Sequence, residues 1–283
     1  MDPFSETLTE KYSKIIADAA KTAMSDIEVI FEEVKEWETS PLRQLMLIGQ
    51  RYYNGENDIL QRKRMVIGEG GEQIEAKNLA NNKLVHNFVR KLVDQKVGYL
   101  LGLPLTVRAN NQTYQKLLNE IFNKSFLRTL KNIGKEAINK GKAWLHVYYD
   151  ENGQLSFKKI PSEEIIPLWK DAAHTELEGI IRVYEIEAYE GKEKVTIQKV
   201  ELWDKTGVYR YVRNEEGLIP DVEGGEYSPH VTVVLGNEEK GFNWERVPFV
   251  CFKYNDEEIP LIQVVKSLVD DYDAKTSDHA NNL

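Results

Sequence analysis

Side chains able to ligate a metal crowd one short stretch of this sequence: Asp270, Asp271, Asp273, Asp278 and His279. Carboxylates grouped in this way can hold Mg²⁺ or Mn²⁺, and a metal so held activates water or steadies a phosphoryl group. The chemistry on offer would be phosphodiester cleavage or phosphoryl transfer. On a helix, however, Asp270, Asp273 and the pair 277/278 fall on the polar face opposite Leu268 and Tyr272, so a solvated face outranks a metal site. The histidines stand apart at 86, 146, 174, 230 and 279, and His146, in an aromatic-rich strand pattern, reads as a packed residue. Cys251 is the single cysteine, so it forms no internal disulfide. Its setting, Phe249-Val250-Cys251-Phe252, is that of a buried, inert thiol. There is no HExxH, no paired Cys/His motif, no GxSxG elbow and no GxxxxGK[ST] loop, and no cofactor is expected. The glycines at 68, 70 and 71 lack the strand before and the helix after that a dinucleotide fingerprint needs.

Composition narrows the classes further. The chain has 283 residues, 41% hydrophobic, with 14 Tyr, 9 Phe and 5 Trp, enough for a real core in one or two domains. Apolar runs are short and the N-terminus (MDPFSETLTEKY) is acidic, so neither a membrane span nor a signal peptide is expected. The net charge of -9 hides a split. Residues 61–142 hold 16 Lys/Arg against 6 Asp/Glu, and the remainder carries the excess acid. A surface that grips duplex DNA is usually basic throughout, because each neutralised phosphate releases counterions. Tight DNA binding is therefore not expected, whereas a wall that encloses DNA without gripping it is compatible. Arg62-Lys63-Arg64 reads as a surface charge run, with no aromatic platform interleaved.

The elements that would position these groups follow from pattern. Thr7 with Glu10 and Ser25 with Glu28 match the capping box and predict two helix starts, and Ser40-Pro41 predicts a third, running to about Tyr53 before Asn54-Gly55. Residues 62–82 read as a hairpin or loop. From Lys83 to Leu101 an apolar stripe predicts a long amphipathic helix stopped by Gly102-Leu103-Pro104, with His86, Asn87, Arg90, Lys91, Asp94 and Gln95 on its other face. Helices over 111–122 and 125–140 follow, the second closed by Gly141. Beyond 142 the period becomes alternating. It predicts a hairpin, 143–149 and 154–160, around Asp150-Glu151-Asn152-Gly153, then strands near 179–189, 194–203, 207–213, 230–235 and 247–254. Pro260 opens a last helix with Leu261, Val264, Val265, Leu268, Val269 and Tyr272 on its stripe. That helix has no stop signal before Leu283, so the chain is expected to end inside an element. The fold class is α+β: helices first, an antiparallel meander second, a C-terminal helix last.

Particular strings add a resemblance. Tyr52-Tyr53-Asn54-Gly55-Glu56-Asn57-Asp58-Ile59 before the basic run, Asn81-Asn82-Lys83-Leu84-Val85-His86-Asn87, and Val93-Asp94-Gln95-Lys96-Val97-Gly98-Tyr99 continuing to Pro104 resemble portal proteins of long-tailed, siphovirus-type bacteriophages. Trp244-Glu245-Arg246-Val247-Pro248-Phe249 and Lys266-Ser267-Leu268-Val269-Asp270-Asp271-Tyr272-Asp273 resemble the same family, in the same order.

The resemblance implies a non-catalytic subunit of a dodecameric ring at one capsid vertex. Its implied partners are other copies of itself, terminase, scaffold and major capsid protein, and connector and tail proteins. Double-stranded DNA would pass through the channel without sequence-specific binding, and no membrane is involved. The implied location is the virion, after synthesis in the host cytoplasm. It further implies an N-terminal helical segment over 1–53, a wing-like α+β domain over 54–255 (helices to about 141, strands 142–255) and the start of a stem helix over 256–283. Clip, second stem helix and crown would lie beyond, so a C-terminally truncated chain is expected. Framework or subunit-contact positions implied are Arg62, Lys63, Arg64, Asn82, His86, Arg90, Asp94, Gln95, Lys96, Trp244, Arg246, Asp270, Asp271 and Asp273. Two other readings stand beside it: a metal-dependent nuclease or phosphotransferase using Asp270, Asp271 and Asp273, and a minor capsid interaction protein that forms no ring.

Overall fold

The computed structural model describes residues 24–235 and 238–282. The chain divides into two compact units: Met1–Arg43 with Trp144–Cys251, and Gln44–Ala143 with Phe252–Leu283. The Thr7–Glu10 capping box lies outside the described residues.

The first unit is mostly sheet. Helix α1 (Met24–Thr39) buries Ile30, Val34 and Trp37, and the Trp37 indole N–H donates to the Glu163 carbonyl at 2.9 Å. Met24 is already helical, so Ser25 lies inside α1 and not at its cap. Strands β3 (Lys142–Tyr149) and β4 (Leu155–Ile160) form the expected hairpin, with Gly153 at φ 71° in its turn. Strand β13 (Phe249–Lys253) lies on the other side of β3. A larger sheet runs β10 (Tyr227–Ser228), β8 (Val208–Arg213), β7 (Glu193–Trp203), β6 (Leu177–Glu190) and β5 (Ile165–Trp169), with β9 (Leu218–Pro220) also on β8. Its pairs are antiparallel.

Strand β5 was not visible in the pattern. It is buried throughout and carries Pro167, which a strand tolerates only at an edge, and β5 is the edge strand. A separate hairpin joins β11 (Val231–Leu235) to β12 (Glu238–Phe242), a charged, exposed partner with no strand signature. The core of this unit gathers Trp144, Ile160, Ile165, Trp169, Ile180, Val247 and Phe249.

The second unit is helical. Helix α2 (Pro41–Tyr53) starts where Ser40-Pro41 predicted, with Ser40 Oγ accepting from the Arg43 N–H at 3.2 Å. A small antiparallel hairpin follows, β1 (Met65–Ile67) and β2 (Gln73–Glu75). Helix α3 (Phe88–Leu101) buries Val89, Val93 and Val97, but begins five residues later than the stripe predicted. Helices α4 (Gln112–Ile121) and α5 (Lys124–Lys140) are each capped by an asparagine: Asn111 Oδ1 accepts from Thr113 and Tyr114, and Asn123 Oδ1 from Ser125 and Phe126. Gly141 ends α5 at φ 86°.

Helix α6 (Leu261–Asn281) follows Pro260 as expected, yet it is rotated relative to its apolar stripe. Its buried positions are Leu261, Ile262, Val269, Asp273 and Ser277, whereas Val264 and Leu268 are 70% and 71% exposed. The core pairs α6 through Leu261, Ile262 and Val269 with Tyr52, Val89, Val93, Val97 and Ile138.

Candidate functional site

The reason for the late start of α3 is also the most developed polar arrangement in the second unit. Residues 82–87 are not helical, and their backbone donors point to side chains of α6. The Asn82 N–H donates to Asn281 Oδ1 at 2.7 Å, the Leu84 N–H to Ser277 Oγ at 2.9 Å, and the His86 N–H to Asp273 Oδ1 at 3.0 Å. Donors two apart on an extended segment advance by about 6.6 Å, and acceptors four apart on a helix by about 6 Å. The two repeats are nearly commensurate, so the segment can run antiparallel along α6 and satisfy amides that a helix would otherwise have used. Asn82 adds a side-chain bond to the Ala280 carbonyl, 3.1 Å.

Asp273 is the centre of this seam. It is fully buried, and besides the His86 amide it accepts from Asn57 Nδ2 at 2.6 Å and contacts His86 Nδ1 at 2.8 Å. Beside a carboxylate the Nδ1–H tautomer is the fitting one, since the ring nitrogen then donates. The His86 ring meets Tyr272 edge-on at 4.7 Å and stacks on Phe88 at 5.7 Å. Ser277, also fully buried, donates to the Asp273 carbonyl at 2.6 Å while accepting from Leu84.

A second cluster sits further toward the start of α6. Tyr52 Oη donates to Asp270 Oδ1 at 2.5 Å, and Lys266 Nζ bridges Asp270 Oδ2 (2.6 Å) and Asp58 Oδ2 (2.5 Å). Arg51 completes it on Asp58 Oδ1 at 2.6 Å. Burial alone would raise the Asp58 carboxyl, but the Lys266 and Arg51 hydrogen bonds outweigh it and hold the group down at about 2. Burial, and then the bond to the Asp270 carboxylate, push the Tyr52 phenol up to about 12.

The positions singled out in the sequence therefore scatter over several settings. Asn82, His86, Asp270 and Asp273 come together along α6, and Arg62 joins them through Asp278 at 2.5 Å. Arg64 bonds the Ala80 carbonyl at 2.6 Å, so two of the three residues in the basic run are tied to their own chain, and Lys63 is the exposed one of the three. Asp94 accepts from Tyr53 (3.0 Å) and Lys135 (2.7 Å), with Arg90 at 3.8 Å. Gln95 and Lys96 lie exposed on α3. Asp271 faces out, paired with Lys275 at 2.7 Å. Trp244 and Arg246 belong to the first unit, where the Trp244 ring stacks on Tyr149 at 5.4 Å and Arg246 is exposed. The reading of Asp273 and position 277 as part of a solvated face is overturned: both are fully buried. Asn57, Tyr52, Lys266 and Ser277 were not singled out for this role, although Asp273, Ser277 and Asn281 at intervals of four were a readable polar stripe.

Among the described residues no group of three or more His, Cys, Asp and Glu is placed to hold a metal ion. No helix among them is long and apolar enough to cross a membrane.

In the first unit a small groove of about 240 Å³ is lined by His146, Tyr148, Lys158, Arg182, Glu201 and Trp203. His146 is half-buried, stacked on Phe249 at 4.6 Å and edge-on to Trp203 at 4.8 Å, as a packed histidine should be. Burial, then the positive charges of Arg182 and Lys158, push its imidazole down to about 4. Since the unfolded chain takes up this proton near pH 6.5, the stability contributed is complete above that value and is lost as pH falls toward 4. We expect a loss on the order of 2 kcal/mol between pH 7 and pH 4.5, after discounting for partial exposure. Urea titrations followed by tryptophan fluorescence should show that loss in the parent and not in His146→Phe; equal losses in both would refute it.

The fold and its polar seams define a class: a mixed α+β protein in which Asp270, Asp271, Asp273 and Asp278 of α6 are each tied to a partner within the chain. A family model described as phage portal protein, SPP1 Gp6-like, matches residues 42–283. The portal protein of Bacillus phage SPP1 is 33% identical over 276 residues, covering 97% of this chain and 53% of the relative. The portal protein of Clostridium phage phiCD119 is 31% identical over 252 residues, covering 85% and 52%. The chain belongs to the SPP1 Gp6-like family of phage portal proteins. It spans about half the length of these curated relatives.

Proposed function

We propose that this chain serves as a subunit of a portal ring, the dodecameric vertex through which DNA enters and leaves a phage head. The observation that carries this reading is the family match across 42–283, together with two portal relatives that align along most of the chain. In this reading residues 54–255 act as the wing and 256–283 begin the stem; the two compact units group residues by contact, whereas wing and stem are roles in an assembly. Terminase, scaffold, major capsid and connector or tail proteins are the partners, the virion vertex is the location, and duplex DNA passes without sequence-specific contact.

The role is mechanical and not catalytic. Support comes from the carboxylates that a metal-dependent nuclease would need. Asp270 is bonded to Tyr52 and Lys266, Asp273 to Asn57 and His86, and Asp271 to Lys275, so each is engaged by a different set of donors. Light scattering after size exclusion, with negative-stain images, tests the ring reading. Rings of the purified chain support it; a monodisperse monomer at every concentration rejects it for this chain.

The basic stretch 61–142 serves, in this reading, as a surface for acid on an adjacent copy. Lys63 is its cleanest probe because it is exposed, while Arg62 and Arg64 also bond within the chain. Lys63→Glu is expected to lower ring yield while leaving unfolding free energy within about 0.5 kcal/mol of the parent. An unchanged yield would remove Lys63 from the interface.

A further inference from the structure

Two patches of the second unit are apolar, uncovered and of opposite charge. The first is the hairpin of β1 and β2. Among the described residues it pairs with no other strand, and all of its strand residues are exposed, Ile67 to 81% with Met65, Val66 and Ile74 beside it. A lone two-stranded hairpin is marginal in water and ordinarily packs on something. From Met65 to Glu75 it contains Glu69, Glu72 and Glu75, all exposed, and no basic residue.

The second patch is a trough along α3. Two grooves of about 510 and 450 Å³ share Leu92 and Gln95, so they adjoin across the helix. One opens toward Tyr99 and Tyr254, the other toward Leu268 and Tyr272 of α6. Lys96 lines the first and Lys91 the second, both exposed and neither in an ion pair among the described residues. Apolar patches of this extent with a charged rim mark contact surfaces.

We propose that the β1–β2 hairpin of one copy seats in the α3 trough of the next, its apolar side chains against Leu92 and Leu268 and its glutamates against Lys91 and Lys96. This rests on the ring reading above. The partner is a second copy of the chain because both complementary halves lie on one chain, and the hairpin does not fill its own copy's trough, since both stay exposed. A contact between two different patches is heterologous, the kind that closes a ring when the rotation per copy divides a full turn.

Disulfide trapping tests it. In a Cys251→Ser background, Ile67→Cys combined with Leu268→Cys should give, on mild oxidation, a ladder of covalent multimers. Either single cysteine should give at most a dimer, and Ile67→Cys with Val222→Cys, an exposed site in the first unit, should give no ladder. Assemblies seen by light scattering without the ladder would overturn the hairpin contact and leave the ring reading intact. A monomer without any ladder would overturn both, and an intrachain disulfide alone would show the hairpin reaching its own trough. Charge exchange supplies a second arm. Glu69→Lys with Glu72→Lys and Glu75→Lys, or Lys91→Glu with Lys96→Glu, should each weaken assembly about tenfold, and mixing the two variants should restore it. Failure of the mixture to recover would refute the glutamate–lysine pairing.

Discussion

Asp273→Ala is expected to destabilise the second unit by about 3 kcal/mol, because it leaves one buried and two half-buried donors without their acceptor. Those donors are Asn57 Nδ2, the His86 amide and His86 Nδ1, around a carboxylate with no solvent exposure. The smaller change Asp273→Asn keeps one oxygen for the His86 amide but sets an amide group against Asn57, so an intermediate loss is expected. The probe matters here. All five tryptophans (37, 144, 169, 203 and 244) lie in the first unit, so their fluorescence is not a report on this one. Far-ultraviolet circular dichroism of the helices, with amide exchange at Leu84 and His86, is the right readout. A variant that melts within about 1 kcal/mol of the parent, with those amides still protected, would show that the seam does not depend on Asp273.

Gly141→Ala is expected to cost about 4 kcal/mol, from two sources. At φ 86° an alanine is strained, and its Cβ would stand 2.1 Å from the Glu258 carbonyl oxygen and 2.7 Å from that carbonyl carbon. The obstacle is backbone, and the backbone there is held. Glu258 is itself at φ 57°, and its buried carboxylate is gripped by Lys142 at 2.6 Å and Lys253 at 3.1 Å. Strain of this kind costs about 1–3 kcal/mol and overpacking a similar amount again. Gly153→Ala separates the two, since Gly153 has φ 71° but nothing within 4 Å of the added Cβ. It should cost only the strain, about 1 kcal/mol. Equal losses in the two variants, measured by urea titration, would show that the close approach at Glu258 contributes nothing.

Local rules carried most of the fold. Serine and proline at 40–41 and glycine at 141 act within a turn, and each marked an end of its element, whereas the asparagine caps at 111 and 123 emerge only in the structure. The misses have a common cause. The amides at 82, 84 and 86 have partners 199, 193 and 187 residues away in sequence, and no local pattern announces them. A stripe that starts at Lys83 therefore predicts helix through residues 83–87, which are not helical. In the same way a buried carboxylate and a surface one are identical in a sequence, and Asp273 was assigned to water because Leu268 and Tyr272 looked like the core side. The structure reverses that, with Leu268 exposed and Asp273 buried. The family strings were legible because they were long and in order, and the roles of their individual residues were not.

The interleaving of the two units has a consequence for how the chain is made. The first unit draws its later part from Trp144–Cys251, so all of it has been synthesised once Cys251 clears the ribosome. The second has by then already emerged as Gln44–Ala143, yet its core lacks Leu261, Ile262 and Val269, and its seam lacks Asp273, Ser277 and Asn281. The earlier-made half must therefore wait, with Val89, Val93 and Val97 uncovered, while a whole sheet domain is translated and folds between its parts. At bacterial elongation rates of about 5–20 residues per second that wait is several seconds or longer. A nascent helical half with an open apolar groove is the species in which chaperone binding and premature self-association would compete with the arrival of α6.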